Sequence, residues 1–213
     1  MELEMQALRA QMNPHFIFNS LNSINMFILE KNKLQASEYL SKFSRLVRLI
    51  LQNSQEALIP LERELEALQL YLELESLRFA QRFEYKIAMG DEVDTTVLKV
   101  PPLIVQPYVE NAIWHGLMHK KEKGHLEIEL YQEKEILSCK ITDDGIGRKK
   151  AAELRSKSAS THNSTGIKIT ESRIAMMQKM NGSERSVEIK DLAHPDGGAA
   201  GTEVLIKIPR CYD

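Results

Sequence analysis

The sequence predicts an α+β protein in two parts, helices over residues 1–80 and a mixed α/β domain over residues 81–213. Three observations predict it. All ten glycines fall at or after Gly90, so the first part lacks the residue that most readily weakens a helix. Apolar residues in that part recur at three- and four-residue spacing. Beyond position 81 they alternate with charged residues over short runs bounded by turn formers.

The elements follow in order. Leu8, Met12 and Phe16, then Ile17, Leu21, Ile24 and Ile28, mark a helix over residues 2–30 that Pro14 kinks or restarts. Asn32 and Lys33 make a turn. Leu40, Phe43, Leu46, Val47, Ile50 and Leu51 mark the return helix of an antiparallel hairpin. One hairpin cannot bury apolar faces this broad, so a second copy is expected to complete a four-helix bundle, making a homodimer. Pro60 opens a third helix, Leu61 to about Ala80, with leucines at 61, 65, 68 and 72. Phe83–Met89 reads as a strand and Pro101–Leu117 as a helix with prolines in its first turn. Leu126–Leu130 and Ile136–Thr142 read as strands. Residues 148–165, rich in Lys, Ser, Thr and Asn, read mostly as a mobile loop. Ile167–Met180 reads as a helix stopped by Asn181-Gly182. Val187–Leu192 and Glu203–Ile208 close the chain as strands, separated by the turn Asp196-Gly197-Gly198. Mostly antiparallel pairing with helices on one face is expected.

Composition narrows the function classes. With 43% hydrophobic and 27% charged residues, the chain is suited to burying a core. A net charge of -2 gives no general pull towards nucleic acid or anionic membrane, so no direct nucleic-acid contact is expected. The small basic clusters Lys120-Lys121 and Arg148-Lys149-Lys150 read as solvated loops. Cys139 and Cys211 lack metal-ligand spacing; Cys139 reads as a small buried hydrophobe, Cys211 lies in the tail, and a reducing cytoplasm is expected. No apolar run approaches the roughly 20 residues of a membrane span, and the polar N-terminus is no signal peptide. Any membrane sensor is expected to lie outside this chain.

Four constellations are candidates for chemistry, and each alone is better explained by local structure. Asp143-Asp144-Gly145-Ile146-Gly147 follows a strand; its glycines allow close backbone approach to a ligand, and its carboxylate suits an exocyclic amine. Alone it is a turn. Glu110-Asn111-Ala112-Ile113-Trp114-His115-Gly116 lies late on an apolar helix, and Asn111 offers a neutral oxygen suited to magnesium that already carries phosphate. Alone it is a helix end with a polar edge. Ser164-Thr165-Gly166 opens a helix whose N–H groups suit an anion, or is a plain N-cap. Gly201-Thr202 begins the last strand.

Together, in this order and spacing, the four resemble the GHKL ATPase domain, a Bergerat α/β sandwich shared by histidine kinases, Hsp90-like chaperones and type II topoisomerases. They correspond to its N box, first glycine box, lid with second glycine box, and final Gly-Thr, over residues from about 83 to 209. The N-terminal half resembles one branch. Leu8-Arg9-Ala10-Gln11-Met12-Asn13-Pro14-His15-Phe16-Ile17-Phe18-Asn19-Ser20-Leu21-Asn22 is similar to the phosphoacceptor segment of LytS/YehU-type sensor histidine kinases. Pro60-Leu61-Glu62-Arg63-Glu64 and the run Tyr71-Leu72-Glu73-Leu74-Glu75-Ser76-Leu77-Arg78-Phe79 resemble the family's following helix. A histidine beside Phe16 and Phe18 is ordinarily a packing residue; within this segment His15 becomes the candidate nucleophile.

The resemblance implies ATP and Mg2+ as cofactors, phosphorylation of His15, and transfer to an aspartate of a response regulator, often of LytTR type in this family. It implies that Asp143 holds the adenine amino group, with Thr202 nearby through water. Gly145, Gly147 and Gly166 allow close backbone approach, Asn111 binds magnesium, and His115 and Thr165 complete the nucleotide set, with residues 148–165 as a lid. This sequence departs from the pattern in places. Phe16 stands where many histidine kinases carry an acid, so Glu110 is the expected general base. Asn19, one turn beyond His15, is expected to orient water or the acceptor. Trp114 replaces a common Lys, while Ser164 and Ile169 replace a Gly and an Asn, changes that bear on lid closure and ATP affinity. Three alternatives stay open: a degenerate module that binds nucleotide or dimerises without transfer, an ATPase that releases phosphate to water, and a serine kinase of the anti-sigma type. The Asn-Pro-His segment argues against the last.

Overall fold

The computed structural model describes residues 14–157 and 187–209. The expected helical residues 2–13, Ser164, Thr165, Gly166, Ile169, the helix over 167–180 and Cys211 lie outside them. Helices α1 (Pro14–Leu29) and α2 (Lys33–Asn53) form the hairpin. Pro14 sits in the first turn of α1, where its missing N–H costs little. The Asn32 side chain accepts a hydrogen bond from the Gln35 N–H at 3.2 Å and caps α2, so Lys33 is helical rather than part of the turn. Aromatic rings close the hairpin: Phe27 lies 5.7 Å from Tyr39, and Phe16 lies 6.1 Å from Phe43.

Helix α3 (Leu61–Arg78) packs against both halves of the chain. On the hairpin side, Tyr71 receives the Phe16 ring at 5.3 Å and Glu73 pairs with Lys42 at 2.8 Å. On the other side, α3 springs from β1 (Ile59–Pro60), which pairs antiparallel with β3 (Lys99–Val100). Strands of two residues leave no alternating pattern, and the sequence reading missed both. Leu68, Leu72 and Leu74 of α3 are fully buried in one cluster with the sheet residues Ile128, Ile141 and Ile206. Ala80 and Gln81, both in left-handed conformation, then reverse the chain.

The main sheet has the order β2, β4, β5, β7, β6, from β2 (Phe83–Met89), β4 (Gly124–Glu133), β5 (Ile136–Asp143), β6 (Val187–Ala193) and β7 (Ala199–Pro209). Only β2 beside β4 is parallel; the other pairings are antiparallel. The register sets Ile128, Ile141 and Val204 side by side, and likewise Leu130, Cys139 and Ile206. These rungs are buried and meet the helices. Neighbouring positions carry cross-strand ion pairs, Lys140 to Glu129 at 2.5 Å and Lys190 to Glu203 at 3.2 Å. Strict two-residue alternation thus separates an apolar face from a charged one.

Two expectations are corrected. The helix expected over Pro101–Leu117 begins later: α4 spans Gln106–Asn111 and continues as a π turn, Ala112–Gly116, and a 3-10 turn, Leu117–His119. The preceding residues cannot be helical, because Leu103 has φ +58° and its N–H is taken by the Glu64 carboxylate at 2.8 Å. The loop expected over 148–165 is helical in its first part, as α5 (Arg148–Lys157). Its alanines and long straight side chains favour helix despite the polar composition, and Ala151 is buried.

Glu75 of α3 is fully buried, its Oε1 accepting from Arg78 Nη1 at 3.2 Å. Burial raises its carboxyl to about 7; Arg78 opposes the rise and Glu110 adds to it. The fold therefore favours the neutral form. That contribution to stability is complete below the ordinary value of 4.5 and is lost as pH rises through about 7. Glu75→Gln, neutral throughout, is expected to gain stability relative to the parent between pH 5 and pH 8. Urea unfolding at the two pH values measures this, and a parent–variant difference that stays constant rules it out.

Candidate functional site

One rung of the sheet lays out the site. Leu126, Asp143, Thr202 and Asp191 stand side by side across β4, β5, β7 and β6. Asp143 is the last residue of β5 and only 4% exposed. Its Oδ1 accepts the Gly145 N–H at 2.9 Å. Burial raises its carboxyl to about 6, helped by Asp144 and opposed by the Gly145 N–H and the Thr202 backbone. Asp144 is in a different environment. Burial opposes its charge, yet Lys120 and His125 hold its carboxyl below the ordinary range, with Lys120 Nζ at 2.6 Å and the His125 N–H at 2.8 Å.

Glycines allow the surrounding backbone to close on Asp143. A Cβ on Gly145 would lie 2.4 Å from the Gly116 Cα, so the glycine loop and the end of the π turn touch through bare backbone. The Ile146 N–H donates to the Gly116 carbonyl at 3.3 Å across the same contact. Gly201 has φ +123°, and a Cβ there would lie 1.8 Å from the Asp143 carbonyl oxygen. Gly147, at φ +76°, turns the chain into α5.

A cavity of about 180 Å³ opens beside this junction. Asn111, His115, Asp143, Gly147 and Thr202 all line it, five of the expected site residues from three separate stretches of chain. Gly145 supports it through backbone contact with Gly116. Tyr108, Arg148, Ala151 and Ile189 line it too, and the sequence reading missed them. Tyr108 lies one turn before Ala112, and Ala151 one turn beyond Gly147, so helical spacing is the signal that finds them once α5 is known to be a helix. Arg148 makes a two-pronged bond to Asp191 at 2.7 and 2.8 Å, tying α5 to β6. Among the described residues no group of three or more His, Cys, Asp or Glu is placed to hold a metal ion.

The other expected residues are not in the cavity. Glu110 accepts from Gln106 Nε2 at 2.9 Å, and its charge acts on Tyr71 and Glu75 of α3. It therefore faces α3, while Asn111 lines the cavity. His15 is the second residue of α1, and its side chain lies outside the described set. Its neighbour Phe16 packs on Tyr71, so the start of α1 and Glu110 share Tyr71 as a neighbour. The Asn19 carbonyl accepts the Ser23 hydroxyl at 3.0 Å, away from the cavity lining. Thr165 and Gly166 lie outside the described residues. Trp114 does not line the cavity; its ring packs against Phe79 at 5.2 Å and lies 4.4 Å beneath the Arg78 guanidinium.

The chain is similar to several known proteins. The family model "Histidine kinase" matches residues 3–83. The sensor protein LytS of Bacillus cereus is 36% identical over 146 residues, covering 68% of this chain and 24% of that protein. The sensor protein LytS of Enterococcus faecalis is 30% identical over 210 residues, covering 98% of this chain and 34% of that protein. The chain thus spans about a quarter to a third of the curated relatives it matches. Among solved structures, the histidine kinase domain of the Erythrobacter litoralis EL346 blue-light activated histidine kinase shares the fold. Its TM-score is 0.50 at 16% identity, over 99% of this chain and 95% of that one.

The glycine junction makes a test that needs no ligand. Gly201→Ala combines a left-handed backbone with a clash against the Asp143 carbonyl. It is expected to cost on the order of 2 kcal/mol or more, read as a lowered urea midpoint. A midpoint equal to that of the parent counts against the close approach.

Proposed function

The chain belongs to the LytS-type sensor histidine kinases, and on that footing we propose that it takes Mg·ATP into the cavity, phosphorylates His15 and passes the phosphoryl group to an aspartate of a response regulator. The observation that carries this reading is the convergence of Asn111, His115, Asp143, Gly147 and Thr202 on one cavity. The buried carboxylate and its glycine cradle fit an adenine amino group approached by backbone. Asn111, on the cavity wall, offers a neutral side-chain oxygen of the kind that suits a magnesium ion arriving with phosphate oxygens.

Asp143 accepts the adenine N–H, with Thr202 beside it on the rung. Gly145, Gly147 and Gly166 give the backbone close access to the nucleotide, and His115 and Thr165 complete the set. Asn111 would hold magnesium, which would supply charge neutralisation at the phosphates. A solvated imidazole has a pKa of about 6.5, so much of it is neutral and nucleophilic near pH 7. A ring nitrogen attacks the γ-phosphorus, the N–P bond forms as the bond to the ADP oxygen breaks, and Glu110 takes the imidazole proton. Catalysis is chiefly positioning and charge neutralisation. Asn19 orients water or the acceptor when the phosphoryl group leaves.

Residues 1–80 supply the dimerising and phosphotransfer helices, and 81–213 the nucleotide domain. The hairpin presents Phe18, Leu21, Ile28 and Leu29 at half or more exposure. A homodimer covers such a seam by completing a four-helix bundle. The response regulator is of LytTR type, and the core works on the cytoplasmic side. Trp114, where the family commonly carries Lys, packs against α3 and does not line the cavity, which favours a second reading, a nucleotide-binding module without transfer.

Two measurements decide. Incubation with γ-labelled ATP is expected to leave acid-labile, base-stable label on the parent. Label is expected to be absent from His15→Ala and strongly reduced in Glu110→Gln with ATP binding retained. Label that survives His15→Ala overturns the nucleophile, and full label on Glu110→Gln overturns the base. The second measurement uses Asp143, whose charged, acceptor-only form predominates above about pH 6. ATP affinity is expected to fall up to about tenfold per unit below that pH and to be weak but pH-independent in Asp143→Asn. An identical pH profile in that variant removes Asp143 from the adenine contact.

A further inference from the structure

The nucleotide reading leaves a set of buried polar contacts on α3 unused. Glu64 is 1% exposed, and each of its oxygens accepts one backbone N–H, Oε2 from Leu103 at 2.8 Å and Oε1 from Val105 at 3.2 Å. Val105 is the N-cap residue of α4 and makes no side-chain cap of its own. The start of α4 is therefore capped from another helix, by the two oxygens of the Glu64 carboxyl group. The same carboxylate holds Leu103 in its left-handed conformation.

Near the opposite end of α3, Arg78 holds the far end of the same segment. Its guanidinium lies 4.4 Å from the Trp114 ring and 4.8 Å from the Phe79 ring, and it donates to the buried Glu75. Trp114 is the central residue of the π turn that follows Asn111. A π turn is rare and is retained where outside contacts hold it. Between the two grips lie Glu110, facing α3, and Asn111, facing the cavity.

We propose that α3 brackets the phosphoryl-transfer site, with Glu64 and Arg78 as positioning residues that set the Glu110–Asn111 pair from its two ends. The proposal rests on the nucleotide reading above and extends it: ATP affinity depends on residues that precede the nucleotide domain. Neither side chain lines the cavity. Tyr71, between the two grips, packs under Phe16, so the bracket also sets where the start of α1 stands relative to Glu110.

The test uses the full chain and its one tryptophan, Trp114. Arg78→Lys keeps the charge beside Glu75 and loses the planar stack; Glu64→Gln loses one of the two acceptors. Both are compared with the parent for thermal midpoint, Trp114 emission and acrylamide quenching, apparent KM for ATP, and labelling rate at saturating ATP. Arg78→Lys is expected to show red-shifted, more quenchable emission. Both variants are expected to raise the KM about tenfold through Asn111 and, because the same grips set the base Glu110, to lower the saturated labelling rate as well. If Glu64→Gln does not fold, Arg78→Lys decides alone. Parental KM and emission in a folded Arg78→Lys overturn the bracket and leave the nucleotide reading standing. A parent that takes up no Mg·ATP overturns both.

Discussion

Asp143 is a carboxylate removed almost wholly from water at the end of a strand, and the arrangement of the cavity follows from how the fold accommodates it. An isolated buried charge is costly. Here one oxygen takes the Gly145 N–H, and the glycines at 116, 145 and 201 bring three backbone stretches close enough to exclude bulk water. Any side chain at these positions separates the π turn, the glycine loop and β7. The closure that shapes the cavity and the desolvation that shifts Asp143 thus have one cause, the absence of three Cβ atoms.

A second constraint acts at longer range. The segment carrying Asn111 is short, six α-helical residues followed by a π turn and a 3-10 turn. Such a segment has little helical stability of its own. Its shape comes from what it packs on, and that is α3, which supplies a cap at Val105, a stacked guanidinium at Trp114 and the buried leucines between. The same helix packs against the hairpin through Tyr71 and Phe16. A division of the chain at residue 80 describes its motifs well, whereas the packing runs across that point in one continuous core.

Much of this was legible in the sequence, and the limits are physical. The hairpin, α3 and the five strands of the main sheet were visible because burial on one face forces a period of 3.6 or 2. The cavity set Asn111, His115, Asp143, Gly147 and Thr202 came from the resemblance of four motifs taken together, because each alone reads as a turn or an element end. The start of α4 was misplaced because Glu64, far away in sequence, takes the N–H groups that local rules assign to a first turn. Helix α5 was read as loop because polarity was weighed above the helix propensity of its alanines and long side chains. The pair β1 and β3 was invisible because two residues define no period.

Adjacent polar residues show what the fold adds to a motif. Asp143 and Asp144 are chemically alike in sequence, as are the neighbours Glu110 and Asn111 in polarity. At the strand end Asp143 faces the cavity while Asp144, the first residue beyond β5, turns to Lys120 and His125, so one carboxyl is raised to about 6 and the other held below its ordinary range. On the helix, a step of about 100° per residue sends Asn111 to the cavity and Glu110 towards α3. The two elements thereby place an acceptor and a neutral oxygen on one wall, and leave an acid on the side where the residue following His15 is packed. A motif written as a string gives the residue types; the period of the element that bears it decides which of them share a space.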